Sequence, residues 1–153
     1  MRIFITGHQG LGNRGCEALL RSTVELIRRR HPLAQFFVPS VRPQADDAQW
    51  PQAREMGVRW IGAPSVNSTL SLWARACRFL PQAAAARWPL PTLQPEEAKA
   101  LRQSDVLLSI GGDNYTLDYD LASLALYVGM ATHARRLGIP VVLWGASVGP
   151  FSQ

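Results

Sequence analysis

Cysteine, charged residues and long apolar stretches are scarce in this sequence, and each shortage excludes a class of protein. Two cysteines in 153 residues build no disulfide framework, and neither has a partner at the spacing of a metal site. No apolar run approaches the roughly 18 residues that span a bilayer. Charged residues make 18% of the chain, against about 25% in average proteins, which excludes disorder and a highly charged nucleic-acid tail.

The basic residues that are present are almost all arginine. Fifteen of the sixteen are Arg, Lys99 is the single lysine, and eleven acidic residues leave a formal net charge of +5. The guanidinium fork suits phosphate and carboxylate, so this bias favours an anionic substrate or membrane surface, with a solvated basic surface as the alternative. Residues 28–30 are all arginine but close a predicted helix, so we expect no nucleic-acid partner.

The length and the N-terminal pattern indicate the number of domains and the compartment of the protein. At 153 residues, of which 47% are hydrophobic, the chain has the size and composition of one domain with a buried core. A strand pattern begins at residue 2, without the apolar segment of a signal peptide. Together with the scarcity of cysteine, this predicts a cytoplasmic protein.

Short β-rich runs alternate with helical patterns along the chain. Strands are predicted over residues 2–6, 35–38, 57–61, 105–110 and 139–144, and helices over 14–30, 68–87, 95–102 and 120–137. Residues 39–56 contain three prolines and are predicted to be irregular. This order predicts an α/β fold with a Rossmann-like, doubly wound parallel sheet.

Three glycine-rich loops follow strands at the edge where such sheets bind ligands. They cover residues 7–15, 111–120 and 145–150. Glycine allows the backbone to approach a ligand closely, although strand-to-helix turns also favour it. We therefore expect a binding site at this edge.

The first loop contains a dinucleotide-binding pattern. Residues 10–15, Gly-Leu-Gly-Asn-Arg-Gly, match G-x-G-x-x-G, but residues 7–9 separate them from the strand. Ser40 stands where an acid would bind the ribose, with Arg42 nearby and Asp46 further on. NADP binding is therefore an alternative interpretation of this loop. The helix amides after this loop would attract an anion in any case.

Side chains suited to acid–base work occur in the first and second loops. His8 is a candidate acid or base, with a locally hydrogen-bonded loop histidine as the alternative. Asp113, Asn114, Tyr115 and Asp118 follow a Gly-Gly turn and suit the recognition or deprotonation of sugar hydroxyls. Ordinary turn chemistry is the alternative there. The three isolated histidines predict no metal site.

Three segments together resemble the polysaccharide pyruvyl transferase family in order and spacing. They are residues 12–20 (GNRGCEALL), 104–116 (SDVLLSIGGDNYT) and 138–151 (GIPVVLWGASVGPF). Many members of that family have Asp where Cys16 stands here, although Glu17 is adjacent.

This resemblance implies a fold, a reaction and a domain boundary. The family resembles GT-B glycosyltransferases, with two Rossmann-like domains, so we expect residues 1–153 to form the N-terminal domain, with the C-terminal domain absent. Members transfer pyruvate as a ketal from phosphoenolpyruvate to a sugar of an exopolysaccharide or cell-wall precursor. The partners implied are phosphoenolpyruvate and a saccharide or lipid-linked saccharide acceptor, without a cofactor. Most donor-binding residues are expected in the second domain.

The predicted site combines this resemblance with the loop positions. The predicted catalytic residues are Asp113 and His8. The predicted substrate-binding residues are Gly12, Asn13, Glu17, Gly111, Gly112, Asn114, Tyr115 and Ser147. A GT-B nucleotide-sugar glycosyltransferase and a non-catalytic glycan- or phosphate-binding module remain alternatives. The basic, tryptophan-containing stretch 68–88 suggests peripheral contact with a membrane, with packing against the core or as a lid as its alternative.

Overall fold

The computed structural model describes residues 1–63, 66–80 and 88–149. Five strands are present: β1 Arg2–Thr6, β2 Gln35–Ser40, β3 Val58–Gly62, β4 Val106–Ile110 and β5 Val141–Trp144. The α-helices described are α1 Arg14–Arg30, α2 Pro43–Gln49, α3 Ser68–Phe79, α4 Pro95–Arg102 and α5 Leu121–Arg136. A 3-10 turn covers Pro51–Ala53.

The five strands form one parallel sheet in the order β3-β2-β1-β4-β5. β1 pairs with β2 on one side and with β4 on the other, and every pairing is parallel. Along the chain, β2 and β3 are thus added on one side of β1, and β4 and β5 are then added on the other side. The predicted doubly wound α/β fold is confirmed, and its topological switch point lies between β1 and β4.

Helices cover both faces of the sheet at its centre, as alternate side chains of β1 show. Phe4 packs in one apolar cluster with Leu101 of α4 and Met130 of α5. Ile5 points to the opposite face and joins a cluster with Leu20 of α1. Successive side chains of a strand point to opposite faces, so a strand that is apolar throughout must be buried on both. This burial fixes the position of the loops after β1 and β4.

The segment predicted to be irregular is ordered, and that prediction was wrong. Helix α2 and the 3-10 turn occupy most of residues 39–56. Proline is favourable at the first position of a helix, where its missing N–H costs nothing, and both elements begin with proline. Trp50 between them is buried in the same cluster as Leu20. The prolines therefore start elements here instead of breaking them.

The long helix predicted over residues 68–87 is only partly described. Helix α3 ends at Phe79, and residues 81–87 lie outside the described residues. In the ranges that the structure covers, no helix has the length and apolar character needed to cross a bilayer.

Candidate functional site

A cavity of about 660 Å³ opens at the switch point, between the loops that follow β1 and β4. We call it the switch-point cavity. Seven of the ten predicted site residues line it: His8, Gly12, Asn13, Gly111, Gly112, Asp113 and Asn114. The other three, Glu17, Tyr115 and Ser147, are not among its lining residues.

Asn114 holds the two loops of the cavity together. Its side-chain Nδ2 donates a hydrogen bond to the carbonyl oxygen of Gly7 at 2.7 Å and another to that of Ile110 at 2.9 Å. The loop after β1 is thereby tied to the end of β4. The amide nitrogen of Asn114 is thus engaged in positioning backbone, and its Oδ1 accepts no hydrogen bond from the described residues.

Gly7 permits this close approach of the loops. Its φ of +104° lies in the left-handed region, which side-chain-bearing residues rarely adopt. A Cβ at this position would also overlap the carbonyl oxygen of Ile110. The first glycine of the predicted loop is therefore required by the geometry of the switch point.

His8 lies in the wall of the cavity and is 5% exposed. Neither ring nitrogen has a hydrogen-bond partner among the described residues. Burial lowers the pKa of His8 to about 4, and the charge of Asp46 opposes this only in part. The imidazole is therefore neutral near pH 7, and both of its nitrogens are buried. Buried polar groups rarely stay unpaired, so this pair of atoms marks His8 as a candidate ligand contact.

Asp113 brings a carboxylate to the same cavity. Its side chain is exposed and makes no hydrogen bond or ion pair with the described part of the chain. Its backbone carbonyl accepts a hydrogen bond from the Thr116 hydroxyl at 2.9 Å, which stabilises the turn. The carboxylate is consequently free to accept a proton or a hydrogen bond from a bound ligand.

Asn13 serves as the N-cap of α1. Its Oδ1 accepts hydrogen bonds from the backbone amides of Gly15 at 2.8 Å and Cys16 at 3.3 Å. Such caps satisfy amides that have no partner within the helix. The predicted binding residue thus has a structural role as well as a place in the cavity wall.

Asp46 supports the glycine-rich loop from α2. Its Oδ1 accepts a hydrogen bond from the Leu11 amide at 3.0 Å, and its Oδ2 accepts one from the Ser40 hydroxyl at 2.5 Å. This carboxylate is buried with both oxygens engaged. It therefore stabilises the loop and is not available to bind the ribose of a dinucleotide.

Arg42 contributes a positive charge at the edge of the cavity. A Cβ placed on Gly12 would lie 3.0 Å from its Nη2, so the guanidinium sits directly beside the glycine-rich loop. Arg42 is exposed, and its guanidinium has no hydrogen-bond or ion-pair partner among the residues described. It can therefore bind a phosphate or carboxylate in this loop.

Glu17 has its carboxylate committed to other side chains of the protein. It pairs with Arg21 at 2.6 Å and Arg14 at 3.2 Å, and it accepts a hydrogen bond from Gln49 at 2.8 Å. Burial raises its pKa, but the bond from Gln49 and the charge of Arg21 outweigh this, and the pKa is lowered overall. This network joins α1 to the end of α2.

Tyr115 and Ser147 connect the loops after β4 and β5. The buried Tyr115 hydroxyl donates to Ser109 Oγ at 2.9 Å, and burial raises its pKa. The Ser147 amide donates to the Gly112 carbonyl at 2.6 Å, while Tyr115 forms a parallel bridge with Val148. These residues hold the third glycine-rich loop against the second.

Helix α5 supplies cavity residues that the motifs did not reveal. Ser123 and Tyr127 lie one turn apart, so they share a face of the helix, and both line the cavity. Tyr127 is mostly buried and hydrogen-bonded to the Gln9 side chain, and burial raises its pKa. The available signal was a pair of hydroxyl side chains spaced four residues apart in the apolar first half of the helix.

The chain contains no evident metal centre in the ranges described. Over residues 1–63, 66–80 and 88–149, no three His, Cys, Asp or Glu side chains are grouped closely enough to hold a metal ion. Cys16 lines the cavity, but burial raises the pKa of its thiol, which disfavours the reactive thiolate.

Comparison with known proteins identifies the family. A sequence model of the family described as polysaccharide pyruvyl transferase matches residues 13–153, which leaves only β1, His8 and the start of the glycine-rich loop before the match. Comparison with curated proteins and with solved structures gives no match. The match spans both the second and the third segment of the predicted resemblance, and it covers far more than half of the chain. This chain belongs to the polysaccharide pyruvyl transferase family.

Proposed function

We propose that the switch-point cavity binds the acceptor sugar for a pyruvyl transfer from phosphoenolpyruvate, on the way to an exopolysaccharide or cell-wall polymer. The observation that carries this proposal is that the free carboxylate of Asp113 and the neutral imidazole of His8 line one cavity of a transferase-family chain. A ketal engages two sugar hydroxyls, and each must lose its proton. A carboxylate that takes a proton and an imidazole that accepts an orienting hydrogen bond suit two hydroxyls in one cavity.

The reaction sets the demands on the site. The two sugar oxygens each form a bond to C2 of the enolpyruvyl unit, and the bond from C2 to the phosphate oxygen breaks. One proton goes to the enol methylene carbon, which becomes a methyl group, and the other balances the departing phosphate. The site must therefore orient two hydroxyls, accept their protons and stabilise anions.

We assign each of these tasks to a different side chain of the cavity. The exposed carboxylate of Asp113 acts as the base for one hydroxyl. The neutral His8 accepts a hydrogen bond from the second and orients it, because a pKa near 4 makes it a poor lasting store of a proton. Arg42, together with the N-terminus of α1, provides positive potential for an anionic donor or acceptor group.

Turnover with phosphoenolpyruvate tests the proposal. Residues 1–153, joined to the second domain that the family resemblance implies, are incubated with phosphoenolpyruvate and a panel of surface oligosaccharides. Phosphate release is followed, and the ketal is identified by the methyl signal in NMR. We expect acceptor-dependent phosphate release, which Asp113→Asn lowers about 100-fold, the usual scale for loss of a general base. Asp47→Asn on α2, outside the cavity, is the matched control. Normal turnover by Asp113→Asn would contradict the role of Asp113.

The same assay separates the alternatives. Consumption of a nucleotide sugar in place of phosphoenolpyruvate would favour a GT-B glycosyltransferase. Glycan binding without any phosphate release would favour a non-catalytic binding module. Titration with NADP tests the dinucleotide pattern of residues 10–15 directly.

Contact with a membrane surface would suit a lipid-linked acceptor, and α3 carries side chains for it. Leu72, Phe79 and Leu80 are exposed apolar groups near the exposed Arg75. Trp73, in contrast, packs edge-on against Trp88 with ring centroids 5.0 Å apart. We propose a peripheral contact, tested by flotation with anionic liposomes. Failure to bind them at low salt would exclude it.

A further inference from the structure

A second cavity of about 660 Å³ lies beside the first. One wall is a face of α3 that includes Ser71, Arg75 and Arg78, and the other is the loop from Leu117 to Asp120 with the start of α5. We call it the α3 cavity. Tyr119 lines both cavities, so they adjoin each other at its side chain.

The α3 cavity carries charges of both signs. Arg75 and Arg78 are exposed, and neither forms a hydrogen bond or ion pair within the described ranges. Asp118 and Asp120 face the same space. With two guanidinium groups and two carboxylates, the formal charge of these four side chains is zero. This composition suits an uncharged ligand rich in hydroxyl groups better than an anion.

The two carboxylates keep part of their hydrogen-bonding capacity. Asp118 Oδ2 accepts a hydrogen bond from the Thr116 hydroxyl at 2.9 Å, and Asp120 Oδ1 accepts one from the Ser123 amide at 2.7 Å. The second oxygen of each makes no contact of this kind with a described residue. Free carboxylate oxygens accept from neighbouring hydroxyls, and free guanidinium forks donate to them.

Tyr119 gives the junction of the two cavities an aromatic surface. Tyr119 is 65% exposed, so its ring is accessible to a ligand. One face of a pyranose ring carries C–H groups, and these pack against aromatic rings while the hydroxyl edges meet polar groups. The next residue, Asp120, has a φ of +129°, a conformation that residues other than glycine rarely adopt.

From these observations we infer that the α3 cavity is a second saccharide subsite. The acceptor then has at least two sugar units, with the reacting sugar in the switch-point cavity, its neighbour between Arg75, Arg78 and Asp118, and Tyr119 against both. This inference rests on the proposed function, because it takes the first cavity to hold the reacting sugar. It adds that recognition depends on the length of the glycan.

Binding measurements as a function of glycan length test the subsite. The chain is applied to a panel of immobilised bacterial surface glycans of one to six sugar units, and dissociation constants are measured by biolayer interferometry for each series that binds. We expect glycans of two or more units to bind at least tenfold more tightly than the matching monosaccharide. The double variant Arg75→Gln, Arg78→Gln should reduce this ratio to less than threefold and leave the monosaccharide affinity unchanged.

The control and the outcomes keep the two proposals apart. Arg29→Gln with Arg30→Gln removes two exposed arginines at the far end of α1 and should leave the ratio unchanged. Thermal unfolding of each variant checks that the fold is intact. If monosaccharides bind but longer glycans bind no better, or if the α3 variant keeps the full ratio, the subsite is refuted while the proposed function stands. If no glycan on the panel binds, both are refuted.

Discussion

Asn114 and Gly7 are joined by a hydrogen bond of 2.7 Å from the side-chain amide of one to the carbonyl oxygen of the other. They are 107 positions apart in the chain. The bond links the ends of β1 and β4, the two strands between which the sheet changes direction. The shape of the switch-point cavity therefore depends on this contact.

Replacing Asn114 by Asp tests this contact. Asn114→Asp removes the donor and sets a carboxylate against the carbonyl oxygens of Gly7 and Ile110, so we expect the free energy of unfolding to fall by about 1–3 kcal/mol. Urea unfolding measures this. Asn67→Asp is the matched control, because Asn67 uses its oxygen to cap α3 and an aspartate does the same. Equal losses for both variants would show that Asn114 has no special role.

A methyl group at Gly7 is predicted to be poorly tolerated. Gly7→Ala combines a φ of +104° with overlap on the Ile110 carbonyl, so we expect a loss of about 3 kcal/mol or more in the free energy of unfolding. Gly112→Ala, in the neighbouring loop, has open space around the added carbon and should change stability by less than about 0.5 kcal/mol. Guanidinium unfolding of both variants provides the comparison, and similar values would contradict it.

Protonation of His8 should destabilise the protein in mildly acidic solution. The native pKa of about 4 lies below the usual 6.5, so the unfolded chain binds more protons between these values, and stability falls as the pH falls. The shift corresponds to about 3 kcal/mol, lost progressively between pH 6.5 and pH 4. Urea unfolding at several pH values measures the loss.

The variant His8→Gln isolates this contribution from that of the carboxylates. It lacks the titrating ring, so its stability should decrease less than that of the wild type over the same pH range. Identical pH profiles for the two proteins would rule out a buried neutral His8. NMR titration of the ring gives its pKa directly.

Glu17 should matter for stability and not for ligand binding. Its carboxylate is held by Arg14, Arg21 and Gln49, and it is not among the residues that line the cavity. We expect Glu17→Gln to lower the melting temperature and to change saccharide affinity less than twofold. Thermal unfolding and binding to the best glycan of the panel measure the two effects. A tenfold loss of affinity with an unchanged melting temperature would restore its predicted role in binding.

The order of strands and helices was predictable because apolar strand segments and charged helix ends are local features of the sequence. Residues 106–110 are apolar except for Ser109, as a strand buried on both faces requires. The helix before Pro32 has an acidic residue in its first turn and arginines in its last, as its dipole favours. Residues 39–56 were predicted wrongly because proline has two opposite effects. It breaks a helix when it lies inside one, and it favours a helix when it is the first residue. The burial of Trp50 in the core distinguishes these two effects here, and burial depends on the tertiary structure.

The candidate site shows the same division between local and tertiary information. The glycine-rich loops after β1 and β4 were identifiable from residue order alone, and so was the family, because short motifs keep their spacing along a chain. Seven of the ten predicted site residues do line the cavity, but the sequence did not separate them from the other three, since Asp113 and Glu17 are equally plausible carboxylates. Their surroundings differ, because Asp113 lines the cavity whereas Glu17 is paired with two arginines.

The sequence by itself therefore determined the alternation of strands and helices, the glycine-rich loops and the membership of a transferase family. Only the tertiary structure decided that His8 is buried with unpartnered nitrogens, that Asp46 supports the loop, and that Tyr119 lies between two cavities. The physical reason is that periodicity and turn chemistry act between near neighbours. Burial, hydrogen bonding and the shape of a cavity arise from residues that only the folded sheet brings together.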